Sequence, residues 1–250
     1  MPIDSSYWPI AGSSTFWPIT SAPAALRFSA AFFSLAGSSQ EFVQMIFTLA
    51  PGCAVWTPSA NAFTLGVQTA HPGAKVKIIW TNSWLDPAKE KKAAENLKAA
   101  GADVIGQNVD DPAIGQYDES VGIPWVGYDS DAKKFAKHQW LTGAVYNWGP
   151  YYLGELKAML NGTWKSRFWY GSMKSGFTKL ASYGPRVTAK TKALIATKRQ
   201  QIESGKWYEF QGPLYDQNGT LRVKKGQRLT VKDLYAMNWL VKGVIGSPKG

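Results

Sequence analysis

Beyond residue 59 the chain alternates short strand-favouring runs with helix-favouring runs, and this alternation restricts the folds that it can adopt. The strand-favouring runs are 75–80, 102–107, 123–127 and 139–146. Helix-favouring runs separate the first three of them, so that one unit takes roughly 20 to 25 residues. Such units are typical of a parallel sheet whose connections are right-handed crossovers. The sequence therefore predicts an α/β fold.

The clearest helix signal lies between the first two strands. Asp86 is a residue type that commonly caps helices, and Pro87 follows it at the first helical position, where proline is favoured. Residues 89–100 are mostly strong helix formers, and Gly101 suits the turn that ends a helix. We therefore expect a helix from about Pro87 to Ala100.

Polar loops follow the first three strands, at 81–86, 108–112 and 128–131. In open α/β sheets, ligands bind outside the carboxyl ends of the strands. Trp84, Asp110 and Asp129 are therefore candidate ligand-binding residues. Each has a structural alternative, because Trp84 can pack against the following helix and an aspartate after a strand often forms a turn or a helix cap.

Asn147 and Trp148 follow the fourth strand and are further candidates. The amide of Asn147 offers both a donor and an acceptor, which suits the edge of a purine. An aromatic ring stacks on a nucleobase for roughly 1–3 kcal/mol, so Trp148 can form a stacking wall or, alternatively, anchor the core.

The first 59 residues differ in composition from the rest. They are rich in Ser, Pro, Ala and aromatic residues, whereas all but one of the 28 Lys and Arg residues lie beyond residue 60. Short helices are possible only at 24–35 and 40–49, because prolines interrupt the remainder. We expect three parts: an atypical leader at 1–59, an α/β ligand-binding lobe at 60–206, and a hairpin and helix at 207–250.

Several classes of function lack support in the sequence. The net charge of +11 comes without a nucleic-acid-binding motif, so no nucleic-acid partner is predicted. One cysteine and two histidines provide no metal-ligand cluster, and we predict no metal or cofactor. Nucleophile-elbow and phosphate-loop motifs are absent, which argues against an enzyme. No apolar run is long enough for a membrane span, and the acidic start makes no convincing signal peptide.

An ordered set of phrases across about 190 residues is similar to the basic membrane protein (BMP) family of ABC-transporter substrate-binding proteins. The set includes Asn61-Ala-Phe-Thr-Leu-Gly, Trp80-Thr-Asn-Ser-Trp-Leu-Asp-Pro-Ala-Lys-Glu, Gly127-Tyr-Asp-Ser-Asp, Asn147-Trp-Gly-Pro-Tyr-Tyr and Asn161-Gly-Thr-Trp. A single phrase is a weak signal, but their shared order and spacing make the resemblance specific.

The resemblance implies a periplasmic-binding-protein type I-like fold, in which two lobes enclose the ligand and helices cover both faces of each parallel sheet. It implies a purine base or nucleoside as ligand, such as adenine, adenosine or guanosine, and contacts to it from Trp84 and Asp129. It further implies a monomer that docks on ABC permease subunits, located in the periplasm or at the cell surface as a lipoprotein. Residues 207–250 are then expected to return to the hinge or the first lobe.

Members of the family are longer by about a hundred residues at the amino-terminal side, and residues 1–59 do not resemble that part. We therefore expect a largely complete second lobe and an incomplete first lobe, as in a truncated or frameshifted gene. This leaves an alternative to a working receptor, namely a non-functional fragment that folds but binds ligand weakly. A nucleoside-processing enzyme is a more distant alternative.

Overall fold

A computed structural model of the chain describes residues 57–167 and 169–248, together with the backbone of a strand at 42–47. The helix considered possible at 24–35 lies outside these residues, as does most of the segment expected to be a leader. The architecture below therefore concerns the described part of the chain.

Seven strands of the described part form one sheet, in the order β6-β5-β4-β3-β1-β2-β9. All neighbouring pairs are parallel except β5 with β6, which is antiparallel. Two further strands, β7 and β8, form a separate antiparallel hairpin. The strands are β1 (Phe42–Phe47), β2 (Lys75–Trp80), β3 (Ile105–Asn108), β4 (Trp125–Asp129), β5 (Trp140–Tyr146), β6 (Thr178–Leu180), β7 (Leu214–Tyr215), β8 (Leu221–Val223) and β9 (Val244–Ile245).

The predicted parallel sheet is confirmed, and the four predicted strands lie within a few residues of β2 to β5. The helix expected as one possibility at 40–49 is wrong, because Phe42–Phe47 is a strand that pairs with β2 on one side and β3 on the other. A short apolar run without polar alternation does not distinguish a buried strand from a helix. Pairing with two neighbouring strands decides the matter here.

Helices cover both faces of the sheet, as expected. They are α1 (Thr57–Ala70), α2 (Pro87–Ala99), α3 (Ala113–Val121), α4 (Trp148–Leu160), α5 (Ala189–Glu203) and α6 (Val231–Tyr235), with a short 3-10 helix at Lys133–Phe135. The start of α2 follows the predicted pattern, since the side chain of Asp86 accepts a hydrogen bond from Lys89 N at 3.1 Å.

Two apolar clusters separate the faces of the sheet. Phe63 of α1 and Ile195 of α5 share one cluster with Val76 of β2. Leu97 of α2 and Ile114 of α3 share the other. Burying an apolar side chain of this size stabilises a fold by about 1.5–3 kcal/mol, so both helical layers hold the sheet by apolar contact.

A pair of tryptophans fixes the strands that end at the candidate site. Trp125 and Trp140 are completely buried, and their rings meet edge to face at 4.9 Å between centroids. Both indole donors are satisfied, because Trp125 Nε1 donates to Gln107 Oε1 at 2.9 Å and Trp140 Nε1 donates to Ser182 O at 2.8 Å. Gly115 of α3 lies so close to Trp125 that an added Cβ would stand 2.4 Å from its ring. Helix α3 therefore packs directly against the ring of Trp125.

Beyond β5 the sheet is extended by the antiparallel strand Thr178–Leu180. The hairpin expected after residue 207 is confirmed, with Gly219 of the Asn-Gly pair in the left-handed region at φ 83°. Strand β9 was not expected; it joins β2 and brings the end of the chain back to this sheet. Two hydrogen bonds of the Asn61 side chain hold this returning segment. Its Oδ1 accepts from Val241 N at 2.8 Å, and its Nδ2 donates to Trp239 O at 2.7 Å.

Glu90 makes the stability of the fold depend on pH. Its side chain is fully buried on α2, and Oε1 accepts from Asp86 N at 3.1 Å. Burial raises the pKa of Glu90 to about 7, and the charges of Asp111 and Asp110 add to the increase. The neutral acid is therefore the form that the folded protein prefers. Its contribution to stability is complete below the unfolded-state pKa and is lost as the pH rises through about 7.

We expect Glu90→Gln to remove this loss, because glutamine keeps the shape and the acceptor without a charge. The free energy of unfolding of the variant should exceed that of the unaltered chain at pH 8.5 by on the order of 1–3 kcal/mol and approach it at pH 5.5. Urea denaturation at both pH values measures this difference. Glu95→Gln on the same helix, where the side chain is partly exposed, is the matched control and should show no such pH dependence. Equal stability of Glu90→Gln and the unaltered chain at pH 8.5 would contradict the prediction.

Candidate functional site

The carboxyl ends of the parallel strands meet at one edge of the sheet, and all five predicted site residues lie there. Trp84 lies in the loop after β2 and Asp110 follows β3, while Asp129 ends β4. Asn147 is the residue before α4, and Trp148 is the first residue of that helix. The parallel pairing therefore brings together residues that lie up to 64 positions apart in the sequence.

Trp84, Asp110 and Asp129 form one connected group. The backbone N–H of Asp110 donates to Trp84 O at 2.8 Å, which joins the loops after β2 and β3. The ring of Trp84 lies parallel to that of Tyr128, with 6.4 Å between centroids and 19° between planes. Asp129 follows Tyr128 directly, so the stacked pair lies beside the carboxylate.

The surroundings of the two carboxyl groups raise the pKa of each. Both side chains reach solvent, yet nearby protein removes part of their hydration, and this raises the pKa of Asp110 and of Asp129. The negative charge of Asp129 raises the pKa of Asp110 further. Two carboxylates in this arrangement favour a ligand that offers hydrogen-bond donors.

Asp129 holds an unusual backbone conformation, with φ at 63° in the left-handed region. Residues other than glycine adopt this region at some energetic cost, although Asp and Asn tolerate it best. Strained positions of this kind cluster at functional sites. The conformation turns the chain sharply at the end of β4, beside Tyr128.

A row of aromatic side chains continues from the Trp84 group to α4. Tyr128 meets Tyr146 at 5.9 Å between ring centroids, and Tyr146 meets Trp148 at 6.2 Å. Phe177 packs edge to face against Trp148 at 4.8 Å. Tyr128 and Tyr146 were not predicted as site residues, although Tyr128 is the penultimate residue of β4 and Tyr146 the last residue of β5, at strand ends that face the site. That position is the signal by which sequence reasoning could have found them.

Asn147 and Trp148 are held mainly by the segment that precedes β6. Asn147 N donates to Phe177 O at 2.7 Å, and its side-chain Nδ2 donates to Gly176 O at 3.4 Å. The contacts of Trp148 with Phe177 and Tyr152 agree with an anchoring role for this ring. Among the aromatic contacts described, Trp148 connects to the Trp84 group through Tyr146 and Tyr128.

Asn108, the last residue of β3, is a further polar residue at this edge that the sequence did not single out. It is fully buried, and neither its Oδ1 nor its Nδ2 has a hydrogen-bond partner among the residues that the structure describes. A buried polar group left without a partner costs roughly 1–3 kcal/mol. Such groups are rare in folded proteins, and each one calls for an explanation.

Within the part of the chain that the structure describes, no helix has the length and apolar character needed to cross a membrane. The same residues contain no group of three or more His, Cys, Asp or Glu side chains placed to hold a metal ion.

Comparison with known proteins gives consistent relatives. Residues 30–208 match the family model Bmp, described as ABC transporter substrate-binding protein PnrA-like. The chain is 41% identical over 185 residues to a purine-binding protein of Brucella abortus (strain 2308), an alignment that covers 74% of this chain and 52% of that protein. It is 31% identical over 144 residues to a putative ABC transporter glucose-binding protein of Haloferax volcanii, covering 58% of this chain and 37% of that protein.

A solved structure confirms the fold class. The solute-binding protein of an ABC transporter system from Conexibacter woesei superimposes with a TM-score of 0.61 at 21% sequence identity, covering 75% of this chain and 62% of that one. The architecture is therefore of the periplasmic-binding-protein type. The chain spans about half of the Brucella relative's length, or 52%.

The family match corrects one boundary and identifies the chain. The match begins at residue 30, so the expectation that residues 1–59 do not resemble the family is wrong for residues 30–59. Composition misled there because central strands of parallel sheets are continuous apolar runs without charge, and Phe42–Phe47 is such a strand. Since the match extends from residue 30 to 208, well over half of its length, the chain belongs to the Bmp family of PnrA-like ABC transporter substrate-binding proteins.

Proposed function

We propose that this chain carries the ligand-binding face of the solute receptor of an ABC importer, and that the ligand is a purine base or nucleoside. The observation that carries the proposal is the group of Trp84, Asp110 and Asp129 at the carboxyl edge of the sheet. It combines a flat aromatic surface with two acceptors that lie close enough for the charge of Asp129 to raise the pKa of Asp110.

Each part of this group matches a part of a purine ligand. The ring of Trp84, already parallel to that of Tyr128, offers its face to the heterocycle. Asp110 and Asp129 accept hydrogen bonds from an exocyclic amine or from the hydroxyl pair of a ribose. Adenine, adenosine and guanosine all offer such donors. Trp148 and Asn147 extend the same edge and are proposed to contact the more distant part of the ligand.

The names of the relatives support a small polar ligand and present sugars as one competing class of ligand. The Brucella relative is named a purine-binding protein, and it is the more similar of the two at 41% identity. The Haloferax relative, at 31%, is named a putative glucose-binding protein. A sugar also stacks on aromatic rings and donates to carboxylates, so glucose is the appropriate competitor in a binding experiment.

We also propose that the protein works outside the cytoplasmic membrane as a monomer, that it delivers its ligand to ABC permease subunits, and that it performs no catalysis. Stimulation of ATP hydrolysis by the cognate transporter in proteoliposomes tests this role. The rate should rise when the receptor and its purine are added together. A receptor that converts the nucleoside to products would refute the proposal of simple binding.

Loss of the stacking surface should weaken binding. We expect Trp84→Ala to lower the affinity for adenine or adenosine at least tenfold, because stacking on one aromatic ring contributes about 1–3 kcal/mol. Isothermal calorimetry on the full chain measures this change. Trp164→Ala removes a half-exposed tryptophan at the far end of α4 and should leave the affinity unchanged. Tighter binding of glucose than of any purine would refute the ligand class, and no measurable binding would favour the alternative of a fragment that folds but binds weakly.

Removal of one charge at Asp129 tests the role of the carboxylates. Asparagine tolerates the left-handed backbone, so Asp129→Asn keeps the turn and removes only the anionic acceptor. We expect about a tenfold loss of purine affinity, together with a lower pKa of Asp110, because the charge that now raises it is gone.

Calorimetry and NMR titration of the Asp110 carboxyl group measure these two effects. Asp131→Asn is the control, since Asp131 is occupied by hydrogen bonds from Ser182 N at 3.1 Å and Lys133 N at 3.3 Å. An unchanged affinity in Asp129→Asn would remove this residue from the site.

A further inference from the structure

Asn108 lies at the point where the sheet changes its direction of winding. The chain passes from β1 to β2 on one side and then crosses to β3 on the other side of β1. Asn108 pairs with Phe47, the last residue of β1, so it stands at the carboxyl ends of the two strands that border this change. In open α/β sheets, that crevice is where ligands bind.

The side chain of Asn108 faces the α1 side of the sheet. Successive side chains of a strand point to opposite faces. Gln107 accepts from the indole of Trp125, which belongs to the cluster under α2 and α3. Its neighbour Asn108 therefore points to the opposite face, where α1 packs.

The start of α1 adds two further unpaired polar groups at the same edge. Helix α1 connects β1 to β2, and His71 after its last turn accepts from Ala74 N just before β2. Its first turn therefore lies at the carboxyl ends of the strands. The hydroxyl oxygens of Thr57 and Ser59 in that turn are buried and have no hydrogen-bond partner within the described part of the chain. The carboxamide and the two hydroxyl groups thus leave a set of buried donors and acceptors on one face of one edge.

We propose that the side-chain amide of Asn108 forms hydrogen bonds with the edge of the bound heterocycle, in the plane of the heterocyclic ring. This inference rests on the proposed purine ligand. A carboxamide presents a donor and an acceptor side by side, which complements the adjacent amine donor and ring-nitrogen acceptor of adenine. Both atoms of the amide are shielded from solvent, so the ligand edge reaches them only when this part of the sheet edge opens locally. Thr57 and Ser59 provide hydroxyl groups that rotate to donate or accept as the ligand requires.

The decisive variant is Asn108→Leu, which has a similar volume and no polar atom. If a ligand provides the missing partners, this variant loses at least tenfold in adenine affinity, while its thermal midpoint stays equal or rises because two unpaired groups are gone. A purely structural amide, paired with an internal water, predicts the opposite pattern: a lower midpoint and an unchanged affinity. Asn108→Ser, which is smaller and still polar, gives the same comparison if leucine does not fit. Thr178→Val removes a buried unpaired hydroxyl on β6 and is the control that should not change affinity.

Ligand analogues separate this inference from the proposed function. The unaltered chain should bind adenine at least tenfold more tightly than unsubstituted purine, which lacks the exocyclic amine, and Asn108→Leu should lose most of that preference. Calorimetry with both compounds on both proteins measures it. If the unaltered chain binds adenine and Asn108→Leu binds it equally well, with the preference intact, this inference is overturned while the proposed function stands. If the unaltered chain binds no purine, both are overturned together.

Discussion

The pairing of β1 with two neighbouring strands is the interaction on which the rest of the described structure depends. Because β2 lies on one side of β1 and β3 on the other, the chain reverses its winding direction after β2. Right-handed crossovers then place α1 on one face and α2 and α3 on the other. The same reversal separates the loops that follow neighbouring strands at the carboxyl edge of the sheet. Asn108, Asp110 and Trp84 lie at this edge.

The core below that edge is built to hold the strand ends in position. Trp125 and Trp140 fill the layer under β3, β4 and β5, and α3 approaches Trp125 so closely that only glycine fits at residue 115. Their indole donors are both satisfied, which leaves the core without polar strain at these rings. Unpaired or shifted polar groups are found instead at Asn108 and at the two carboxyl groups of the edge. The two buried tryptophans, with both indole donors paired, thus support an edge at which Asn108, Asp110 and Asp129 carry polar groups that a ligand can use.

Sequence reasoning worked where the local signal was strong. The cap at Asp86 and the strand ending at Trp80 lie where the sequence predicted them. The polar loops after β2, β3 and β4 lie at one edge of the sheet, because parallel strands share their carboxyl ends. Reasoning failed at Phe42–Phe47, where a short apolar run has no period that separates strand from helix. It also missed β9, since two residues are too few to give a pattern and their pairing with β2 depends on a contact across the whole chain.

The sequence by itself determined the family, the α/β class and the loops from which candidate ligand-binding residues come. These follow from local propensities and from phrases that keep their order along the chain. The tertiary structure alone decided which of those residues meet, because the order of strands in a sheet depends on pairing between distant segments. It placed Trp84 against Tyr128 and Asp110 beside Asp129, and it tied Asn147 to the segment before β6. It also left the amide of Asn108 buried without a partner in the described part of the chain, since burial and hydrogen bonding are properties of the packed fold.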